Sequence, residues 1–137
     1  MKLEKFIRKQ KVAFIAGVDE SGYPTIKAML MPRKIVGIKE FYFSTNTSSK
    51  RVNDYLKNDK ASIYFYSMKP FNYQGLMLTG NMEVVTDEKV KEELWSPGDK
   101  IYYPKGKNDP DYCILKFTSL NGRHYHNLKH EEIEIGE

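Results

Sequence analysis

The alternation of apolar and polar residues along the chain predicts mostly short β-strands. Six segments have the length and apolar pattern of strands, and they lie at 12–19, 25–31, 40–45, 60–67, 75–85 and 112–126. The dipeptide Asn121-Gly122 predicts a tight hairpin within the last of them. The segment "EEIEI" at 131–135 is a candidate edge strand. Turn-forming residues separate these segments, as "DESGYP" does at 19–24.

Helical spacing of apolar residues predicts only three short helices. One lies in the first eleven residues, one follows Ser48, and one spans 86–95. Because these helices do not alternate with the strands, a parallel α/β sheet is not expected. The pattern instead favours a closed or partly closed antiparallel barrel with helices at its rim. No linker or internal repeat interrupts residues 1–137, so we expect a single domain.

Composition narrows the class of protein further. Ten Tyr, seven Phe and one Trp among 137 residues are enough to build a core. No run of 18 apolar residues occurs, and charges interrupt the N-terminal segment, so neither a transmembrane helix nor a secretory signal is expected. The single Cys113 excludes an internal disulfide and suits a reducing compartment, which predicts a cytoplasmic protein.

The net charge of +4 does not by itself indicate nucleic-acid binding. The 22 basic residues are dispersed among 18 acidic ones, and no block of five like charges occurs. The aromatic residues near lysines at 64–73 could stack on single-stranded nucleic acid. Aromatic residues of a barrel strand explain them more simply, so no nucleic-acid partner is expected.

The stretch "FYFSTNTSSKRVNDYL" at 41–56 carries the strongest chemical signal. A strand leads through six hydroxyl and amide residues to Lys50 and Arg51, at the point where a helical pattern begins. A helix start already presents partial positive charge, so two cations there are unfavourable unless an anion binds. The helix at 86–95 shows the usual arrangement, with Thr86 as a candidate cap and acids in its first turn. The alternative is that Ser48 or Ser49 only caps the helix while both cations extend into water.

Two neighbouring features favour the bound anion. The preceding strand delivers Ser44 and Thr45 to the same end as the helix start. Lys27 lies in the middle of an apolar strand, where it must reach outward or face a negative charge. Phosphate is the anion that such helix starts most often hold.

The segments "GYPTIKAML" and "FYFSTNTSSKRVNDYLKNDKASIYFY" resemble the FMN-binding split barrel family of pyridoxamine 5′-phosphate oxidase. The similarity is to its short branch, related to general stress proteins. The shared motifs are G-x-P-x-x-R/K, a strand ending in Thr-Asn, and a helix start rich in Ser, Lys and Arg. The resemblance covers roughly 12–126 and is densest at 22–67, and "LWSPGDKIYYPKGKNDPDYCILKFT" also resembles that branch.

The resemblance implies a fold, a cofactor and a partner. The fold would be mainly β (α+β), an antiparallel six-stranded split β-barrel with short flanking helices. The cofactor would be FMN, held at the interface of a homodimer, and the activity would be that of an FMN-dependent oxidoreductase acting on an unidentified small substrate. The implied cofactor contacts are Lys27, Ser49, Lys50 and Arg51 for the phosphate, the backbone of Ala28, Met29 and Leu30 beneath the ring, and Ser44 and Thr45 for the ribityl chain or ring. Trp95 and Tyr103 are the candidates for contacts from the second subunit.

Departures from the family limit what activity is predicted. The oxidases of vitamin B6 end in an Arg-x-His-x-x-Arg-like stretch, and here only Arg123 and His124 are similar. Pyridoxamine 5′-phosphate oxidase activity itself is therefore not predicted. The alternative function is a non-catalytic, stress-related protein that holds a flavin, a deazaflavin or haem. No catalytic side chain is assigned, and no metal site is expected, although His124, His126 and His130 would be the candidates for a haem ligand.

Overall fold

The computed structural model describes residues 2–135. Eight antiparallel strands form one sheet in the order β2-β1-β5-β6-β7-β4-β3, with β8 paired to β7. The strands are β1 (Val12–Val18), β2 (Pro24–Leu30), β3 (Lys34–Val36), β4 (Glu40–Asn46), β5 (Lys60–Lys69), β6 (Asn72–Val85), β7 (Tyr112–His126) and β8 (Lys129–Glu134). The helices are α1 (Lys2–Arg8), α2 (Lys50–Lys57) and α3 (Glu88–Leu94), and short 3₁₀ turns occur at Pro97–Ile101 and Gly106–Asn108.

The sheet curves around a single main core. Alternate residues point inward, as the buried Ile15 of β1 and Phe43 of β4 do. These two strands lie far apart in the sheet order, yet their inward side chains belong to one buried cluster with Phe65, Leu78 and Phe117. Only a curved sheet brings them together. The predicted mainly β, antiparallel split-barrel fold is confirmed, with eight strands where six were predicted.

The strand β2 is exposed on its outer face. It ends the sheet and pairs only with β1, so its other backbone edge has no strand partner among the described residues. Ile26 and Leu30 are 72% and 80% exposed, which is unusual for large apolar side chains on a strand. This edge strand therefore offers both free backbone groups and an uncovered apolar surface.

The hairpin predicted at Asn121-Gly122 does not form. Both residues lie inside β7, where Asn121 pairs with Thr79 and Gly122 with Leu78. The chain reverses later, at Asn127, which has a positive φ of 54°. The irregularity in this region is a bulge at Thr79/Gly80, where a Cβ on Gly80 would lie 1.9 Å from the Thr118 carbonyl oxygen.

The helices are attached in different ways. α1 packs on the core through the buried Ile7. α2 is capped by Ser49, whose hydroxyl accepts the backbone N–H of Val52 at 3.3 Å. α3 is capped by Asp87 rather than by Thr86, because the Asp87 carboxylate accepts the N–H groups of Lys89 and Val90. Within residues 2–135 no helix has the length and apolar character needed to cross a membrane.

Candidate cofactor-binding site

The first turn of α2 and the middle of β2 form a cationic pocket of about 190 Å³. Lys27 approaches from β2, and Lys50 and Arg51 approach from α2. α2 has no acidic residue in its first turn, so the positive end of its dipole and both cations attract an anion to this place. We call this space the cationic pocket.

Two carboxylates also line the cationic pocket, but other groups engage them. Asp19 accepts the backbone N–H groups of Ser21 and Tyr23 at 2.9 and 3.0 Å and so shapes the turn between β1 and β2. Asp54 is buried and lies 3.4 Å from the Lys50 ammonium, one helical turn away. Three cations against two carboxylates leave one net positive charge, which suits an anion at this place.

A second pocket, of about 200 Å³, lies beside the cationic pocket along β2. Its walls are the end of β2 from Ala28 to Leu30 with the following Met31 and Arg33, the end of β4, and the loop residue Tyr103. The two pockets meet where Arg51 donates to the Thr45 hydroxyl at 3.5 Å. We call the second space the β2–β4 pocket and the two together the cleft.

Polar atoms without partners lie on both sides of the cleft. Ser44 Oγ in the β2–β4 pocket and Arg51 Nε in the cationic pocket are buried and make no hydrogen bond. Tyr112 lies beside Ser44, but its hydroxyl donates to the Lys91 carbonyl at 3.2 Å and so supplies no proton to the Ser44 oxygen. Burial raises the pKa of Tyr112, and the neighbouring Ser44 hydroxyl acts in the opposite direction. Buried polar groups are rarely left unpaired in a folded protein. Their position fits a cleft in which a polar ligand supplies the missing partners.

A long-range ion pair fixes the far wall of the β2–β4 pocket. The guanidinium of Arg33 donates to both carboxylate oxygens of Asp99, one of them at 2.9 Å. Asp99 also accepts the N–H of Ser96, and its carbonyl accepts the N–H of Tyr103 at 2.9 Å. Burial opposes ionisation of Asp99, but the hydrogen bonds from Arg33 and Ser96 to its carboxylate and the Arg33 charge outweigh burial and lower the pKa of the carboxyl.

Tyr103 is held by aromatic packing as well. Its ring lies 5.0 Å from that of Tyr112, and Trp95 packs edge-on against Tyr112 at 5.1 Å. Burial raises the pKa of Tyr103 to about 12, so its hydroxyl is protonated at neutral pH and able to donate.

Most residues predicted for the cofactor lie in the cleft. Lys27, Lys50 and Arg51 line the cationic pocket. The β2–β4 pocket is lined by the predicted set Ala28, Met29, Leu30, Ser44, Thr45 and Tyr103. Tyr103 lines the pocket of its own chain, and its contact from a second subunit stays a prediction, as does that of Trp95.

Ser49 and Trp95 lie outside the cleft lining. The Ser49 hydroxyl caps α2, and the Trp95 ring packs edge-on against Tyr112. Sequence reasoning missed Arg33 and Asn46, which line the β2–β4 pocket, and Tyr55, which lines the cationic pocket. Tyr55 was recognisable as a helix neighbour of Arg51. The role of Arg33 was not, because its partner is 66 residues away.

The histidines and the cysteine are engaged elsewhere. His124 Nε2 lies 3.2 Å from the Gln74 amide oxygen, and His126 Nε2 lies 3.0 Å from that of Asn72. In the part of the chain that the structure describes, no group of three metal-ligating side chains occurs. Burial raises the pKa of the Cys113 thiol, which is typical of a packing residue rather than a nucleophile.

Comparison with known proteins establishes the family. The family model described as pyridoxamine 5′-phosphate oxidase matches residues 1–126. The chain belongs to this family. A Clostridium acetobutylicum protein related to general stress protein 26 of Bacillus subtilis is 40% identical, with a TM-score of 0.85 over 98% of this chain and 92% of that one.

More distant structures share the fold alone. General stress protein 26 from Bacillus anthracis is 16% identical with a TM-score of 0.76, over 98% of this chain and 96% of that one. A heme binding protein from Mycobacterium smegmatis is 11% identical with a TM-score of 0.73, over 94% of this chain and 55% of that one. A search of curated protein sequences gave no match.

Proposed function

We propose that the protein binds FMN in the cleft and acts as an FMN-dependent oxidoreductase on a small substrate. The observation that carries this proposal is the pair of unpartnered buried atoms, Ser44 Oγ and Arg51 Nε, in two adjoining pockets. One pocket is cationic and the other is lined by apolar side chains, backbone and hydroxyls. The two ends of flavin mononucleotide match these two pockets, because it has an anionic phosphate at one end and a planar ring system at the other.

Each part of the cleft has a role in this proposal. Lys27, Lys50 and Arg51 hold the phosphate, aided by the positive end of α2. The free backbone edge of β2 at Ala28–Leu30 offers N–H and C=O groups to the polar edge of the ring. Bound FMN would supply the electron or hydride chemistry, and the chain orients the cofactor.

We further propose that the protein is a homodimer in which a second copy covers the cleft. The outer face of β2 supports this, because Ile26 and Leu30 are exposed beside the cofactor pockets. Exposed apolar residues next to a binding cleft are typical of an interface. A second copy would bury them and exclude water from one side of the bound ring.

The activity test begins with an absorption spectrum of the purified protein, followed by titration with FMN. Flavin absorption bands, or quenching of flavin fluorescence on titration, would support the cofactor assignment. Bleaching of the bound flavin by NAD(P)H, with reoxidation by an added acceptor, would support an oxidoreductase. Binding without turnover would favour the alternative of a flavin-holding protein.

The same spectrum tests the other cofactors. A haem-like band would contradict the FMN assignment and give weight to the fold shared with the mycobacterial heme binding protein.

Multi-angle light scattering with Ile26→Glu and Leu30→Glu tests the dimer, since charges on this face should produce monomers. A wild-type protein that is monomeric with FMN bound would contradict the dimer and leave the cofactor assignment intact.

A further inference from the structure

A cavity of about 450 Å³ separates α1 from the end of the barrel formed by β5 and β6. It shares no lining residue with either pocket of the cleft. Four lysines line it: Lys2, Lys5 and Lys9 from the α1 segment and Lys69 from β5. We call it the lysine cavity.

The lysines of this cavity are not neutralised by acids. Lys2, Lys5 and Lys9 follow at intervals of three and four residues and so share one face of the α1 segment, opposite Lys69. Within residues 2–135, no carboxylate lines the cavity, and none of the four lysines forms an ion pair. Four like charges around one space repel each other unless an anion lies between them.

The uncharged polar groups of the cavity also present donors. Asn72 and Gln74 line it, and their amide oxygens are bonded to the rings of His126 and His124. With the oxygens engaged by the histidines, the remaining groups of both side chains are amide N–H donors. Gln10 and Ser67 complete the polar lining, and Gln10 Nε2 donates to the Phe6 carbonyl at 2.9 Å, so the cavity also holds acceptor oxygens. Its charged groups are all cationic, and this favours an anionic ligand.

We infer that the lysine cavity binds a small polyanion that carries two or more phosphate or carboxylate groups. Lys2 and Lys9 are seven residues apart, which is about 10 Å along a helix. The four lysines carry four positive charges, and one phosphate carries at most about two negative ones, so a ligand with two or more anionic groups complements the cavity better. This site is independent of the proposed cofactor, because the cleft lies on other elements.

Binding would also secure α1. This helix is held to the core through Ile7, with Leu3 and Phe6 packed beside it. Repulsion between its lysines and Lys69 opposes this docking, and a bound polyanion reverses the sign of that interaction. The free energy of unfolding therefore rises when the polyanion binds.

The test uses the full chain saturated with FMN, with inorganic tripolyphosphate as the probe in isothermal titration calorimetry. The double variant Lys5→Gln with Lys69→Gln should weaken binding about tenfold or more, because two charge-assisted contacts are lost. All four lysines are exposed, so these changes should leave the fold intact. The matched control, Lys89→Gln with Lys100→Gln, removes the same charge from exposed positions outside the lysine cavity and the cleft and should leave the affinity unchanged.

Three results would overturn the inference. One is the absence of tripolyphosphate binding to the wild-type protein. Another is an unchanged affinity in the lysine-cavity variant, or an equal loss in that variant and the control, either of which would place the probe outside the lysine cavity. The third is binding of anionic vesicles or a short single-stranded oligonucleotide through the same lysines without binding of tripolyphosphate, which would assign this surface to a macromolecule. In contrast, tripolyphosphate should raise the melting temperature of the wild-type protein but not that of the lysine-cavity variant, and this result would support the inference.

Discussion

The cationic pocket and the β2–β4 pocket lie side by side in one cleft but are built in different ways. The cationic pocket takes its positive charges from the first turn of α2 and from one strand, so two short segments of the sequence contain all three of its cations. The β2–β4 pocket depends on Tyr103, a loop residue whose position is set by the Arg33–Asp99 ion pair across 66 residues. The first pocket uses local structure, and the second uses tertiary contacts.

The two pockets should therefore contribute differently to ligand affinity and to the free energy of folding. The cations at the start of α2 lie at the positive end of its dipole and are repelled by it, so the empty cationic pocket costs folding free energy. The Arg33–Asp99 pair instead ties a loop to the sheet and stabilises the fold with or without a ligand. Substitutions in the first pocket should therefore change ligand affinity most, and substitutions behind the second should change stability most.

The largest expected effect is on FMN affinity in the double variant Lys50→Ala with Arg51→Ala. FMN should bind at least about tenfold more weakly, because two charge-assisted contacts to the phosphate are lost. Fluorescence titration of the folded variant measures this. Lys57→Ala with Lys60→Ala removes the same charge outside the cleft and should bind FMN like the wild type. Equal affinities in the two variants would contradict the phosphate placement.

The second effect is on stability in Asp99→Asn. The unfolding free energy of the FMN-free protein should fall by about 1.5–3 kcal/mol, because the charged partner of Arg33 is lost at a buried position. Urea denaturation measures this. Glu93→Gln breaks an exposed ion pair with Lys34 and should cost about 0.5 kcal/mol or less. Similar losses in the two variants would show that the Arg33–Asp99 pair has no special role.

The same pair predicts a pH dependence with a defined sign. The pKa of Asp99 in the folded protein lies below its ordinary value of 3.8. Its carboxylate therefore contributes its full stabilisation above that value, and the contribution is lost as the pH falls through the lower, folded pKa. Between neutral pH and the acid range, the stability difference between the wild type and Asp99→Asn should shrink. A difference that stays constant into strong acid would argue against this linkage.

A smaller effect is expected for Ser44→Ala. FMN affinity should fall about two- to tenfold through the loss of one neutral hydrogen bond, while the FMN-free protein keeps its stability or gains slightly. The gain follows because a buried hydroxyl without a partner is removed. Ser119→Ala removes another unpartnered buried hydroxyl, away from the cleft, and should not change FMN affinity. If both variants lost FMN affinity equally, Ser44 would have no direct contact with the ligand.

The smallest effect tests the helix start itself. In the FMN-free protein, Arg51→Gln should raise the unfolding free energy by about 0.3–1 kcal/mol at low ionic strength, because a cation leaves the positive end of α2. Lys57→Gln, in the last turn of the same helix, should lower it. Thermal denaturation at low and high salt checks both signs. A loss of stability in Arg51→Gln would mean that its contact with Thr45 outweighs the dipole.

Local pattern was enough to predict the elements that carry the cationic pocket. Apolar alternation gave the strands on either side of it, and the run of hydroxyls before Lys50 marked the start of α2. These features depend on neighbours within one strand or one helical turn, where side-chain periodicity and capping are decided. The resemblance of the same segments to a family was confirmed by the match over residues 1–126.

Local pattern misled where a distant strand decided the outcome. Asn121-Gly122 has the composition of a hairpin, but both residues pair with β6 on one side and β8 on the other, which keeps them extended. The bulge opposite Thr118 depends on Gly80, about 40 residues away in the chain, because only a glycine fits so close to that carbonyl. No short window of sequence contains both partners.

The sequence by itself determined the antiparallel strands, the capped helix and the cations that face the cleft, because each follows from interactions over a few residues. The tertiary structure decided that Arg33 pairs with Asp99, that Tyr103 lines the pocket and that Ser44 is left without a partner. It also decided that four lysines surround one cavity. These arrangements join residues tens of positions apart, and curvature of the sheet brings them together.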